Sequence, residues 1–231
     1  MRDDVSATLS SAPPAPLPGV WGPGRGGGAR VPGARPLPAR KPVNLHFETR
    51  GRGRELVLLH GWGMSSAVWE GLPADLTLGH RLTAIELPGH GHSPLDPSCA
   101  RLADWAAACL RAAPRRAVWL GWSLGGLLAL AAALQAPERI SALIAVTATP
   151  RFVKGADWQA AMASSSLSGF HRGLLADPAA TLQRFMALQV RGSDEGRDTL
   201  RELRRELAAR PQPEPEALGL GLRLLGDSDL R

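Results

Sequence analysis

"AVWLGWSLGGLLALAAALQ", residues 117–135, changes period in the middle. Its first six residues are almost continuously apolar, as a strand covered on both faces requires, and a glycine-bounded turn follows. A helix is read from Leu124 to Gln135, whose residues after the two glycines are strong helix formers, and Pro137 stops it. The same alternation extends outward on both sides. "VNLHFETRGRG" reads as an opening strand and turn, "ELVLLHG" as a buried strand, and Trp69 to Leu78 as a helix. "RLTAIELPG" is a strand, Leu102 to Ala113 a helix, and "ISALIAVTA" a further strand. Apolar strands separated by helices predict an α/β fold, a mostly parallel sheet with helices on both faces, over residues 43–150.

Residues 151–210 carry no strand-like run and are expected to form a helical cap. Asp177-Pro178 reads as a cap followed by proline at the first helical position, after which Leu182, Phe185, Met186 and Gln189 share a face. Ser193 is the expected cap of the next helix, with Leu200, Leu203 and Leu207 as its apolar stripe. "PQPEPE" then returns the chain to the core over 211–231. Residues 1–42 hold 9 of the 20 prolines and 7 of the 26 glycines without apolar periodicity, so a disordered tail is expected there, with Val43 nearer the natural start.

The formal charge is +6, but six Lys/Arg against two Asp lie within residues 1–42, which leaves +2 for the rest. That balance gives no warrant for a nucleic-acid partner. Cys99 and Cys109 are too few for a disulfide framework and are expected as buried thiols, and no metal ligand or cofactor is assigned. The longest apolar run, "LLALAAAL", falls far short of the roughly 20 residues that span a bilayer, so a cytoplasmic monomer without membrane contact is expected.

Strand, Gly-x-Ser-x-Gly, helix is the pattern of a nucleophile elbow. The turn is so tight that the residues flanking the serine must be small, and it lifts the hydroxyl to the carboxyl edge of the sheet. Ser123 is therefore the candidate nucleophile. The Leu124 N–H, at a helix N-terminus, is one candidate oxyanion donor, and the Trp62 N–H on the "HGWG" loop is the other. A glycine-rich turn with a structural histidine is the alternative for that loop. His90 and His92 in "LPGHGHS" precede Ser123, whereas such triads run serine, acid, histidine, so that segment reads as a structural loop. His171 lies downstream but in the cap.

"LVLLHGWGMSSAVW", "LPGHGHS", "AVWLGWSLGG", "PERISALIAV", "RFMALQ" and "GLRLLGDSDLR" together resemble the α/β-hydrolases that cleave pimeloyl-acyl-carrier-protein methyl ester in biotin synthesis, from about Val43 to Arg231. The resemblance implies a serine carboxylesterase without cofactor and an acyl carrier protein as partner. By position it implies Ser123 as nucleophile, Trp62 and Leu124 as oxyanion-hole backbone, and Phe185, Met186, Ala187, Leu188 and Gln189 as the lining of an acyl channel. It also implies carrier docking by Arg184, Arg197 and Arg201. Arg197, Arg201 and Arg204 do share one helical face, which equally suits a plain solvated surface. The family's pattern continues past "DLR" with two more strands that bring the triad acid and histidine, and neither Asp227 nor Asp229 matches that acid. The chain taken alone is thus expected to lack the C-terminal strands, to leave "ISALIAVTA" as an exposed edge, to fold poorly, and to be close to inactive, since losing such a histidine costs on the order of 10⁶ in kcat. A general short-chain esterase and a non-catalytic binding protein are the competing readings.

Overall fold

A computed structural model describes residues 43–231 apart from Ser193 and Glu195, so the expected tail and the expected Ser193 cap lie outside the described residues. Among the described residues five strands form one sheet in the order β1-β3-β2-β4-β5. They are β1 (Phe47–Gly51), β2 (Arg54–Leu59), β3 (His80–Ile85), β4 (Ala117–Trp122) and β5 (Ile140–Val146). β1 runs antiparallel to β3, and every other pairing is parallel.

Period-two alternation sorts the strand side chains between two cores. Val57, Leu59, Ala117 and Trp119 face α2 (Leu102–Ala112) and α3 (Leu124–Gln135), whose Trp105, Cys109, Leu127 and Leu128 fill the larger cluster. Leu56, Leu58, Val118 and Leu120 face the opposite side, where Trp69, Leu72 and Leu76 cover them. Cys109 is fully buried, which pushes its thiol up to about 12, while Cys99 is only half-buried.

Two differences from the sequence reading have local causes. The helix expected over 69–78 is a 3-10 turn at Ser66–Trp69 followed by the short α1 (Ala74–Gly79). Pro73 occupies its N-cap and disfavours helical backbone at Leu72, which breaks the run. The exposed edge expected of "ISALIAVTA" is present: among the described residues β5 ends at Val146 and pairs with β4 alone, and Ile144 and Val146 are 45% and 40% exposed. Finally, Pro215–Asp227 is a helix, α7, with Pro215 in its first turn. Its Ala217, Leu218, Leu220, Leu222, Leu224 and Leu225 are buried, so the stretch after "PQPEPE" adds a layer of core.

Between β5 and α7 the described residues form three helices, α4 (Ser164–Ala176), α5 (Pro178–Gln189) and α6 (Gly196–Ala208). Asp177 caps α5 by accepting from the Ala180 N–H at 2.9 Å, with Pro178 at the first position. Arg210, after α6, fixes the end of this segment by donating to Glu48 at 2.6 and 3.1 Å and to Glu70 at 3.2 Å. Among the described residues no helix is long and apolar enough to cross a membrane.

Candidate active site

Ser123 stands between the end of β4 and the start of α3 with φ 54° and ψ −116°, a backbone region that costs a non-glycine residue on the order of 1–3 kcal/mol. The sheet and helix hold it there. Its N–H donates to Val146 O at 2.9 Å at the end of β5, and its carbonyl accepts from Gly126 and Leu127 N–H at 2.9 and 3.1 Å. The flanking glycines are steric requirements, because helix and strands cross at contact distance. A Cβ on Gly121 would lie 2.4 Å from Gly125 O, and one on Gly125 would lie 2.4 Å from Leu59 O and 2.5 Å from His60 O.

The "HGWG" loop closes against this elbow. A Cβ on Gly61 would sit 3.5 Å from Ser123 Cβ, so the loop passes directly beside the hydroxyl. Two buried histidines tie the loop to "LPGHGHS". His60 donates from Nδ1 to Gly61 O at 2.9 Å and accepts at Nε2 from Leu87 N–H at 3.0 Å. His90 accepts at Nε2 from Gly63 N–H at 3.3 Å and donates from Nδ1 to Pro88 O at 2.9 Å. With both ring nitrogens engaged by backbone, neither can take a proton from Ser123. Burial keeps them neutral, lowering His60 to about 3 and His90 to about 4.

Trp62 is 1% exposed, and its indole donates to Leu218 O on α7 at 2.8 Å. Phe185 meets the indole edge-on at 4.9 Å and Phe170 does so at 6.1 Å. These rings, with Phe152, Met162, Leu167, Leu222 and Leu225, enclose a cavity of about 50 Å³ that reaches Ser123. Among the described residues its wall contains no imidazole and no carboxylate. The Leu124 N–H, first of α3, is one that no earlier helical turn can satisfy, which leaves it available to an anion at the elbow.

Of residues 185–189, only Phe185 borders the Ser123 cavity. Met186 is buried against Gly63, Met64 and Leu182 beside a separate small void, while Ala187, Leu188 and Gln189 are exposed. A helix turns about 100° per residue, so five consecutive side chains cannot line one channel. Arg184, Arg197 and Arg201 are exposed, and Arg201 pairs with Asp198 at 2.9 Å. His171 borders a different cleft, with Arg223 and Asp227. Asp229 faces Arg151 and Arg231, away from the cavity, and is held at about 2, chiefly by Arg231.

Sequence reasoning missed the contribution of α7. Leu222 and Leu225 line the cavity, and Gly221 allows α7 to lie against the Trp62 loop, since a Cβ there would be 2.8 Å from Trp62 Cδ1 and 3.2 Å from Leu124 Cδ2. The only available signal was the small residue in "GLGLRLL", inside a leucine pattern of helical period.

A strained serine at a strand-to-helix turn, beside a glycine loop and under helices, defines a class. The chain belongs to the α/β-hydrolase fold family, whose sequence pattern matches residues 55–218. Within that family, curated relatives named as esterases match most of the chain. The pimeloyl-[acyl-carrier protein] methyl ester esterase of Vibrio campbellii is 45% identical over 189 residues, covering 82% of this chain and 74% of the relative. Those of Photobacterium profundum and Methylococcus capsulatus are 46% and 45% identical, over 81% and 82% of this chain and 73% and 74% of theirs. Among solved structures, an esterase from Exiguobacterium antarcticum superposes with a TM-score of 0.70 at 21% identity, over 81% of this chain and 71% of that one. The enol-lactonase from Burkholderia xenovorans gives 0.66 at 19%, over 82% and 74%. These two share the fold.

Proposed function

We propose that the chain is built to hydrolyse the methyl ester of a pimeloyl group carried on acyl carrier protein, through Ser123. The observation that carries the reading is the strained Ser123 elbow opening into an apolar cavity. Similarity to the pimeloyl-[acyl-carrier protein] methyl ester esterases supports the substrate. Ser123 Oγ attacks the ester carbonyl, and the N–H groups of Trp62 and Leu124 hold the oxyanion. Methanol leaves, and water releases the acyl group from the serine. The apolar wall of Trp62, Phe170, Phe185 and Leu222 suits a methylene chain, and the exposed Arg184, Arg197 and Arg201 are cations that an acidic carrier can meet.

Two conditions follow from the geometry. A cavity of about 50 Å³ holds no more than a few waters, so α4 and α5 must shift to admit an acyl chain. The described residues bring no base to Ser123, so attack requires an imidazole from outside that wall, and residues 43–231 by themselves turn over slowly. The enclosed, base-free cavity also fits a second reading, a protein that holds an acyl ligand without cleaving it.

Fluorophosphonate treatment with peptide mass spectrometry separates these readings. We expect slow labelling at Ser123, none in S123A, and acceleration by free imidazole; labelling equal in both proteins refutes the nucleophile assignment. A preference for the carrier-bound ester over nitrophenyl esters, lost in R197E/R201E, supports the substrate and docking face. Equal rates, or no loss on charge reversal, reduce the reading to a general short-chain esterase.

A further inference from the structure

The far end of the "LPGHGHS" loop gathers groups that ester chemistry does not use. Of the six histidines, His60 and His90 have both ring nitrogens committed to backbone. His46, just before β1, and His92, in the loop after β3, are brought side by side with ring centroids 4.8 Å apart. Glu86 completes the group. His46, Glu86 and His92 each present one ligand atom, and the three atoms lie within 4.8 Å of one another. We propose that they form a binding site for one transition-metal dication of the Zn²⁺, Co²⁺ or Ni²⁺ type.

Donor chemistry and vacant valence carry the proposal. The Glu86 side chain is fully buried; Oε1 accepts from Ser66 Oγ at 2.9 Å, and Oε2 accepts from His92 N–H at 2.5 Å with His92 Nδ1 at 3.3 Å. A carboxylate oxygen has two lone pairs, so Oε2 keeps one. His46 Nε2 is buried and has no hydrogen-bond partner. The nearest acid, Glu48 Oε1, lies 3.9 Å away and is already engaged by Arg210. Two imidazoles and one carboxylate form a donor set that borderline dications prefer over Mg²⁺ or Ca²⁺, with coordination positions left for water.

The backbone prebuilds the group. Glu86 N–H donates to His46 O at 3.0 Å, His46 N–H donates to Ser93 Oγ at 2.9 Å, and Ser93 Oγ donates to Glu86 O at 2.7 Å. Gly91 has φ 55°, and a Cβ there would fall 2.3 Å from the Glu86 carboxylate, so the loop wraps the acid as closely as a chain can. Tetrahedral ligation at ~2.1 Å sets donor atoms ~3.4 Å apart, so closure needs shifts of about 1.4 Å at most, within reach of two partly exposed imidazoles. The same loop carries His90, which holds Gly63 beside Trp62, so a bound ion braces the oxyanion loop.

The test is titration of the untagged full chain with Zn²⁺ by calorimetry, and with Co²⁺ by visible absorption. We expect one ion per chain, a Co²⁺ spectrum with nitrogen ligation, and at least tenfold weaker binding in H46N and in H92N. Both side chains are partly exposed, and unchanged melting of the metal-free variants shows that the fold is retained. Binding of Zn²⁺ that both variants keep at full strength, or no stoichiometric binding at 1 mM of either ion, overturns the proposal.

Discussion

Replacing Gly125 by alanine tests the packing argument for the elbow, because helix propensity and tertiary contact then pull in opposite directions. Gly125 is the second residue of α3, where alanine would gain about 0.5–1 kcal/mol if nothing else were nearby. Its added methyl would lie 2.4 Å from Leu59 O, 2.5 Å from His60 O and 2.7 Å from Leu59 C. All three are backbone atoms of the central β2 and its end, so no side-chain rotation relieves the clash. Separating helix from strand by roughly 1 Å costs about 1–3 kcal/mol, and the backbone contacts place this case toward the upper end. A net loss of about 2 kcal/mol lowers Tm by about 4–8 °C in a unit of this size. Gly169, exposed in α4 with nothing within 4 Å of its Cβ position, is the internal control, and G169A should raise stability by about 0.5–1 kcal/mol. Urea denaturation at constant m value measures both. A G125A protein as stable as the parent would refute the contact argument, whatever G169A does.

Further expectations follow from the same geometry. S123G relieves the φ 54° backbone and should raise stability by about 1–3 kcal/mol, whereas S123A keeps the strain; equal midpoints for the two would contradict it. His60 and His90 are held neutral, at about 3 and about 4, against about 6.5 in the unfolded chain, so the unfolded state takes up protons first as pH falls. Their stabilisation is complete above about pH 6.5 and declines toward pH 4, by up to about 1.4 kcal/mol per pH unit for each histidine. Urea midpoints at pH 7, 6 and 5 read that slope, and a flat profile is the contrary result. R210M removes the bridge from the end of α6 to Glu48 and Glu70 and should cost about 1–2 kcal/mol, a loss that 1 M NaCl narrows; a salt-independent difference points to packing instead.

The parts of the fold that were legible in the sequence are those where one local period dominates. The apolar run Ala117–Trp122 and the unbroken helix Leu124–Gln135 read correctly to the residue, because each is set by short-range propensity and ends at a glycine or proline signal. The stretch 69–78 carried mixed signals, and Pro73 settled them against one continuous helix. α7 was hidden because "PQPEPE" reads as loop, although Pro215 suits a first helical turn. Its buried face has meaning only against Trp62 and Leu124, which are distant in the chain.

The sequence by itself determined the alternating α/β framework, the serine between glycines and the loop that accompanies it, since these depend on residues within a few positions of one another. The tertiary structure decided which side chains share a cavity, because that depends on where α4, α5 and α7 come to rest. Phe185 was brought to Ser123 while Leu188 and Gln189 were turned to solvent. It also decided the state of the histidines. His60 and His90 are held neutral by burial and backbone donors far along the chain, whereas His46 and His92, 46 residues apart in sequence, meet at a buried carboxylate.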